Sequence, residues 1–252
     1  MNNYIETIPI HSYQTNQFAE ATVPSIFNFM LEAAWAHAQK MDWGYDLLQR
    51  QKMFWVLSRL YVEIEKFPKW QEKINLNTWS AGTDGMYAYR EFILKNENGE
   101  VILTGNTAWL ILDTESKKIV LLKDQKESFP RFNGHDVCRE PKRLRLKKTN
   151  TDLVYKPVLF SEIDVNHHFN SIKALERVLD DYGVDFQNQH EAATVEINYL
   201  KEGLPGDHLA VSRNSLSATK YQSALIRESD QAELSTFEIE WRKKKTNDLT
   251  NP

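Results

Sequence analysis

The chain repeats itself. "DWGYD" (Asp42 to Asp46) returns as "DYGVD" (Asp181 to Asp185), and "IEKFPKWQEKI" (Ile64 to Ile74) returns as "YLKEGLPGDHL" (Tyr199 to Leu209). The two pairs come in the same order, 139 and 135 residues apart. Similar offsets in the same order imply a duplicated unit of about 135 residues, so one supersecondary plan must account for almost the whole chain twice. Between the copies lies "RFNGHDVCREPKRLRLKKTN" (Arg131 to Asn150), which has little apolar periodicity and carries seven basic residues against Asp136 and Glu140. It reads as a basic connection between halves.

Each copy has the same order of elements. A short strand leads, "YIETIPI" in the first half and "VYKPVLFSEIDV" in the second. A helix follows. Phe27, Met30, Ala34, Ala38 and Met41 recur at helical spacing in the first half, and Ile172, Leu175, Leu179 and Tyr182 do so in the second. Thr22 with Pro24, and Asn170 or Ser171, suit the helix starts. Strands come next: "KINLNTWSA", "MYAYREFILKN", "EVILTGNTAWLILD" and "KKIVLL", then "HLAVSRNSLS", "KYQSALIRES" and "AELSTFEIEWR". Asn98-Gly99 marks a hairpin turn. One helix wrapped by an antiparallel sheet, twice over, is an α+β double hotdog. The expected division is an N-terminal hotdog at 1–130, a basic connector at 131–150 and a C-terminal hotdog at 151–252.

Composition narrows the partners. A net charge of −4 argues against nucleic acid. No run approaches the roughly 18 apolar residues of a membrane span, and "MNNYIETIPIHSYQ" lacks the features of a signal peptide. The single cysteine, Cys138, supplies neither an intramolecular disulfide nor a multi-cysteine metal site. A cytoplasmic protein without metal or cofactor is the expectation. The seven tryptophans, including Trp43, Trp55, Trp70 and Trp109, read most simply as core and sheet-face residues.

The stretch "DVNHHFN" (Asp164 to Asn170) concentrates polar groups just before the second helix. If extended, its side chains alternate, with Asp164, Asn166, His168 and Asn170 on one face and His167 pointing away. The first turn of a helix has unpaired N–H groups and a partial positive charge, which can hold a developing oxyanion. Asp, Asn and His beside it can supply a base, an orienting amide and a proton shuttle. The same residues also serve as ordinary caps and turn formers.

Over about residues 4 to 242 the sequence resembles the acyl-acyl carrier protein thioesterases. The resemblance is carried by "FWVLSRLYVEIEKFPKWQEKINLNTWSAGTDGMYAYREF" (Phe54 to Phe92), "TGNTAWLILDTESKKIVLL" (Thr104 to Leu122) and the D-x-N-x-H-x-N pattern of Asp164 to Asn170. It implies active-site roles for Asp164, Asn166, His168 and, in "NYLKEGLPGD", Glu202. It implies no cofactor. A cysteine follows that acid in the plant enzymes, whereas Gly203 stands here, so the chemistry must run on a carboxylate with water or on a carboxylate nucleophile. Asp164 and Glu202 both remain candidates for base. The thioester carbonyl is expected near Asn170 and Ser171, at the helix start. The first half lacks the polar set, reading "QFAEATVPSIF", so one active site per chain is expected. The family pattern gives the first half the acyl chain, with Phe27, Met30, Leu31 and Ala34 shaping its pocket. The partner implied is an acidic acyl carrier protein, which Arg139, Lys142, Arg143 and Arg145 would meet.

Three other readings stay open on the sequence. An acyl-CoA thioesterase would act on the same pantetheine thioester. A dehydratase on this fold also pairs His with a carboxylate, although the polar set fits the thioesterase pattern better. A non-catalytic acyl-binding protein would use the polar set only as caps. The oligomeric state is open between one chain and a homodimer.

Overall fold

The computed structural model describes residues 3–123, 129–132, 137–146 and 153–244. They form two compact units, Met1–Pro141 and Lys142–Pro252.

In the first unit, strands β1 (Tyr4–Pro9), β2 (Met53–Ile64), β3 (Lys73–Thr83), β4 (Ala88–Lys95) and β5 (Val101–Asp113) pair in the order β1-β3-β4-β5-β2. Every pairing is antiparallel, and a short β6 (Ile119–Val120) adds to β5. The β4–β5 hairpin turns where Asn98-Gly99 predicts it. Asn96 Oδ1 accepts the amides of Asn98 and Glu100, and Gly99 takes a left-handed φ of 82° that a side chain would strain. Helix α1 (Val23–Lys40) lies against β3 and β1. It starts as its sequence demands: Thr22 Oγ1 accepts the Ser25 amide and Pro24 sits in the first turn, where a missing N–H costs nothing. Its inward stripe of Ile26, Phe27, Met30, Ala33 and Ala34 is buried. A short helix, α2 (Tyr45–Arg50), follows "DWG" and leads into β2.

The second unit repeats the plan. Strand β7 (Lys156–Pro157) precedes α3 (Ser171–Asp180), α4 (Val184–Gln189), β8 (His190–Tyr199), β9 (His208–Ser215), β10 (Lys220–Arg227) and β11 (Glu233–Lys243). The strands pair antiparallel in the order β8-β11-β10-β9-β7. Helix α3 buries Ile172, Leu175, Val178 and Leu179. Each such aliphatic side chain removed from water contributes about 1.5–3 kcal/mol. Gly44 and Gly183 open α2 and α4 at equivalent points, each carbonyl accepting the amide four residues on. The repeated "D-x-G-x-D" is therefore a helix–helix corner.

The leading strand expected over Val154–Val165 is reduced to two residues. Pro157 has no amide to give a ladder, and the Glu162 carboxylate takes the Leu159 amide, curling Phe160–Glu162 into a 3-10 turn. No helix among the described residues is long and apolar enough to cross a membrane.

The described parts of the basic connector are strapped to the sheets. In the first unit the Val137 amide donates to buried Glu91 Oε1, and the Phe132 amide donates to the Ser80 carbonyl. In the second, the Lys142 amide donates to buried Glu196, and Asn198 exchanges hydrogen bonds with the backbone of Leu144 and Lys142. Residues 133–136 and 147–150 of the connector lie outside the described residues.

Candidate active site

The segment Asp164 to Asn170 is a closed loop, not a strand. Its ends meet in a bridge between Ile163 and Phe169. Asp164 builds it: Oδ1 accepts the amides of Asn166 at 2.8 Å and His168 at 3.1 Å, while the Asp164 amide donates to the His168 carbonyl at 2.8 Å. His167 turns the corner in the left-handed region, at φ 61°. The alternation expected of an extended chain is lost, because a short acceptor side chain reaching forward to two amides favours a turn over a strand.

The loop hands the chain to α3. Asn170 caps it, its Oδ1 accepting the amides of Ile172 and Lys173. Two of the first-turn donors expected to serve an oxyanion are thereby occupied, which leaves the Ser171 amide at the helix start. The Ser171 carbonyl accepts the hydroxyl of Tyr199, whose own burial raises its pKa.

Arg177, two turns along α3, fastens the loop from below. Its guanidinium grips Glu162 through two hydrogen bonds of 2.8 and 2.5 Å, reaches the carbonyls of Lys156 and Pro157, and stacks over the Phe169 ring. Burial opposes ionisation of Glu162, but the Arg177 partner and the Leu159 amide together hold its carboxyl below the usual range.

A second segment completes the site. The Phe169 amide donates to the Gly203 carbonyl at 2.8 Å, which lays the residues after β8 beside the loop. This brings Glu202 Oε2 to 3.3 Å from His168 Nε2. The two side chains are 45% and 26% exposed, so the pair is open to a substrate and to water. It is His168, not His167, that meets the acid. Asn166 is exposed on the same loop. A Cβ at Gly203 would lie 2.9 Å from Phe169 Cβ and 3.2 Å from Leu234 Cδ1, so no side chain, cysteine included, fits there without moving the loop. Cys138 lies in the first unit, and burial pushes its thiol up to about 12, far from a nucleophilic thiolate.

The first unit contains the same loop without the chemistry. Thr15 and Ala21 form its bridge, Asn16 Oδ1 accepts the amides of Phe18 and Glu20, and the Ala21 amide donates to Pro68. Ala19 takes the left-handed corner at φ 58°. Asn16, Phe18, Glu20 and Phe67 thus stand where Asp164, Asn166, His168 and Glu202 stand in the second unit.

The first unit has instead a cavity of about 470 Å³, mouth included, between α1 and the sheet. Of the expected pocket residues only Ala34 lines it. Phe27 and Met30 are fully buried core, and Leu31 is half-buried beside them. The walls are Trp43, Trp55, Trp109 and Phe129, three of them tryptophans that the sequence assigns to core or sheet faces; Trp70 is half-exposed elsewhere. Trp55 and Trp109 satisfy their N–H groups on the Trp43 carbonyl and Thr107 Oγ1, leaving apolar ring faces for the space. Among the residues expected to dock a partner, Lys142, Arg143 and Arg145 are exposed. Arg139 is not free in this way: its guanidinium sits 3.4 Å over the Tyr61 ring.

Residues 1–127 match the family model for the acyl-ACP thioesterase N-terminal domain, and residues 145–243 match that for the C-terminal domain. Among curated relatives, an Arabidopsis thaliana oleoyl-acyl carrier protein thioesterase is 24% identical, over 79% of this chain and 59% of its own length. A Gossypium hirsutum palmitoyl-acyl carrier protein thioesterase is 22% identical, over 98% of this chain and 66% of its own. The chain thus spans about 60% of the length of these relatives. The fold matches the crystal structure of an acyl-ACP thioesterase from Bacteroides thetaiotaomicron, with a TM-score of 0.88, 20% identity, and coverage of 95% of this chain and 98% of that one. It also matches the 12:0-ACP thioesterase from Umbellularia californica, with a TM-score of 0.83, 19% identity, and coverage of 96% and 98%. Two family models laid end to end over two copies of one helix-and-sheet unit identify this double hotdog as a member of the acyl-ACP thioesterase family.

Proposed function

We propose that this chain hydrolyses the thioester of an acyl-acyl carrier protein, releasing a free fatty acid and the carrier thiol in fatty acid biosynthesis. The observation that carries the reading is the open His168–Glu202 pair beside the start of α3. Water attacks the thioester carbonyl, and its proton passes to the pair, with Glu202 as base. The oxyanion accepts from the Ser171 amide and the side chain of Asn166. The C–S bond then breaks and His168 delivers the proton to the leaving thiolate. Asp164 holds Asn166 and His168 in place through their amides, which is why we give the base to Glu202. The first unit's cavity takes the acyl chain; each methylene sheltered from water is worth about 0.8 kcal/mol. Lys142, Arg143 and Arg145 meet the acidic carrier. On this reading the protein works in the cytoplasm.

The test is single-turnover release of fatty acid from a panel of acyl-acyl carrier proteins, wild type beside His168→Ala. Release that is lost in the variant supports the reading and names the chain length. Release only from acyl-CoA would transfer the activity to that substrate, and release from neither would leave an acyl-binding protein. A double charge reversal at Arg143 and Arg145 raises KM for the carrier-linked substrate and spares acyl-CoA; an unchanged KM would remove the docking role.

A further inference from the structure

The cavity of the first unit is apolar except at one end, where it holds a charge. Arg90, on β4, lines it and is only 7% exposed. Its Nη1 donates to His37 Nδ1 at 2.8 Å and to Thr78 Oγ1 at 3.3 Å, both neutral acceptors when His37 is in the tautomer that accepts. A guanidinium has five N–H donors. The donors on Nε and Nη2 meet no hydrogen-bond acceptor among the described residues, and no carboxylate among them pairs with Arg90. Burial without such a partner lowers its pKa to about 10, so it is still a cation at neutral pH.

Arg90 borders packed core. One inward position further along β4 is Phe92, and one turn back along α1 from Ala34 is Met30; both are fully buried and fill the space beyond. Met30 can seat there because position 105 is glycine: a Cβ would come 2.8 Å from Met30 Cε. In the other direction the wall runs through Ala88, Trp109, Trp55 and Trp43. A purely hydrocarbon ligand filling this space would end against an unpaired buried cation and strip it of its remaining water, which is costly.

We propose that the cavity is built for an acyl chain that carries an oxygen acceptor, a hydroxyl or a carboxylate, at the end away from the thioester, and that Arg90 receives this oxygen through Nε and Nη2. The tryptophan faces hold the methylenes and the guanidinium reads the terminus. This rests on the cavity taking the acyl chain, as proposed above, and adds the chemical class of that chain.

The experiment compares thioesters of dodecanoic, 12-hydroxydodecanoic and dodecanedioic acid on one carrier protein, with wild type and Arg90→Met. Wild type should turn over at least one oxygenated substrate with a kcat/KM tenfold or more above that of the plain chain. Arg90→Met should invert the order in favour of the plain chain, and Arg90→Lys should keep the wild-type order. A wild-type preference for the plain chain overturns the proposal even if no variant folds. An unchanged ratio in a folded Arg90→Met also overturns it. If no thioester is cleaved, hydrolysis fails as the function, and the cavity is then tested with dodecanoate and dodecane through the fluorescence of its tryptophans. Tighter binding of dodecanoate, whose own carboxylate can reach Arg90, than of dodecane, lost in Arg90→Met, supports an oxygen-reading cavity; equal binding overturns it.

Discussion

The division of labour between the two carboxylates can be tested by making the same chemical change at each. Glu202→Gln keeps the shape of the side chain beside His168, at 3.3 Å in the native pair, and removes its charge. As the loss of a general base this should lower kcat by roughly 10²- to 10⁴-fold, about 2.7–5.4 kcal/mol of barrier, with little change in stability. Asp164→Asn should behave differently. What Asp164 Oδ1 does is accept two amides, at 2.8 and 3.1 Å, and an asparagine carbonyl oxygen can accept the same two. The first unit demonstrates it, since Asn16 folds the equivalent loop on the amides of Phe18 and Glu20. Replacing a charged by a neutral acceptor should cost about 1–2 kcal/mol of stability, whereas Asp164→Ala, which loses both bonds and leaves two amides unpaired, should cost about 3 kcal/mol or more. The readouts are urea midpoints and single-turnover fatty acid release at one pH. The expected order is a kcat within about tenfold of wild type for Asp164→Asn, and a far larger loss for Glu202→Gln. A folded Asp164→Asn as inactive as Glu202→Gln would refute the reasoning and put Asp164 in the chemistry.

Three further outcomes are expected. Gly203→Ala should lower the urea midpoint by the equivalent of about 1–3 kcal/mol, because its Cβ meets Phe169 Cβ at 2.9 Å. Gly203→Cys should do no better, and a cysteine variant with raised, alkylation-sensitive activity would contradict the geometry. Iodoacetamide at pH 8 should neither label Cys138 in the folded protein nor slow turnover, since its thiol is pushed up to about 12; mass spectrometry of the intact chain reads this directly. Arg177→Met should cost about 3 kcal/mol by leaving Glu162 half-buried and unpaired. Because Arg177 depresses the Glu162 carboxyl, its contribution is full above the ordinary value of 4.5 and is lost as pH falls through the lower native value. The gap between wild type and Arg177→Met in chemical denaturation should therefore narrow below about pH 4; a gap constant with pH would assign the loss to packing alone.

The sequence makes the helices legible because their signals are local. Thr22 with Pro24, Asn170, and the apolar stripes behind them lie within a few residues of the structure they specify. The site loop was only half legible. Its residues are all in "DVNHHFN", but alternation is a strand rule, and it fails where an Asx side chain takes the amides two and four residues ahead. The signal that could have shown this was the repeat itself: "NQFAEAT" and "DVNHHFN" both begin with Asx and end on a helix cap six residues later. The cavity was not legible, for a different reason. Its walls come from α1, β2, β3, β4, β5 and two loops, so no window of sequence contains it, and a tryptophan facing an empty space has the same neighbours in sequence as one facing a filled core.

The duplication also separates what the backbone requires from what the chemistry requires. Both loops have the bridge, the forward-reaching Asx, the left-handed corner, the cap and the strap to the residues after the central strand. These recur where there is no histidine, so they belong to the fold. What differs is the content of a fixed frame: Phe18 against Asn166, buried Glu20 against His168, Phe67 against Glu202. The first unit fills those positions with groups that bury, and gives up its reactive pair. The second leaves them accessible to solvent. A site is thus obtained by changing three side chains, two on the loop and one on the segment strapped beside it, in a frame already secured by the Asx side chain and by main-chain hydrogen bonds, which is why Asn166, His168 and Glu202, rather than Asp164, carry the expected chemistry.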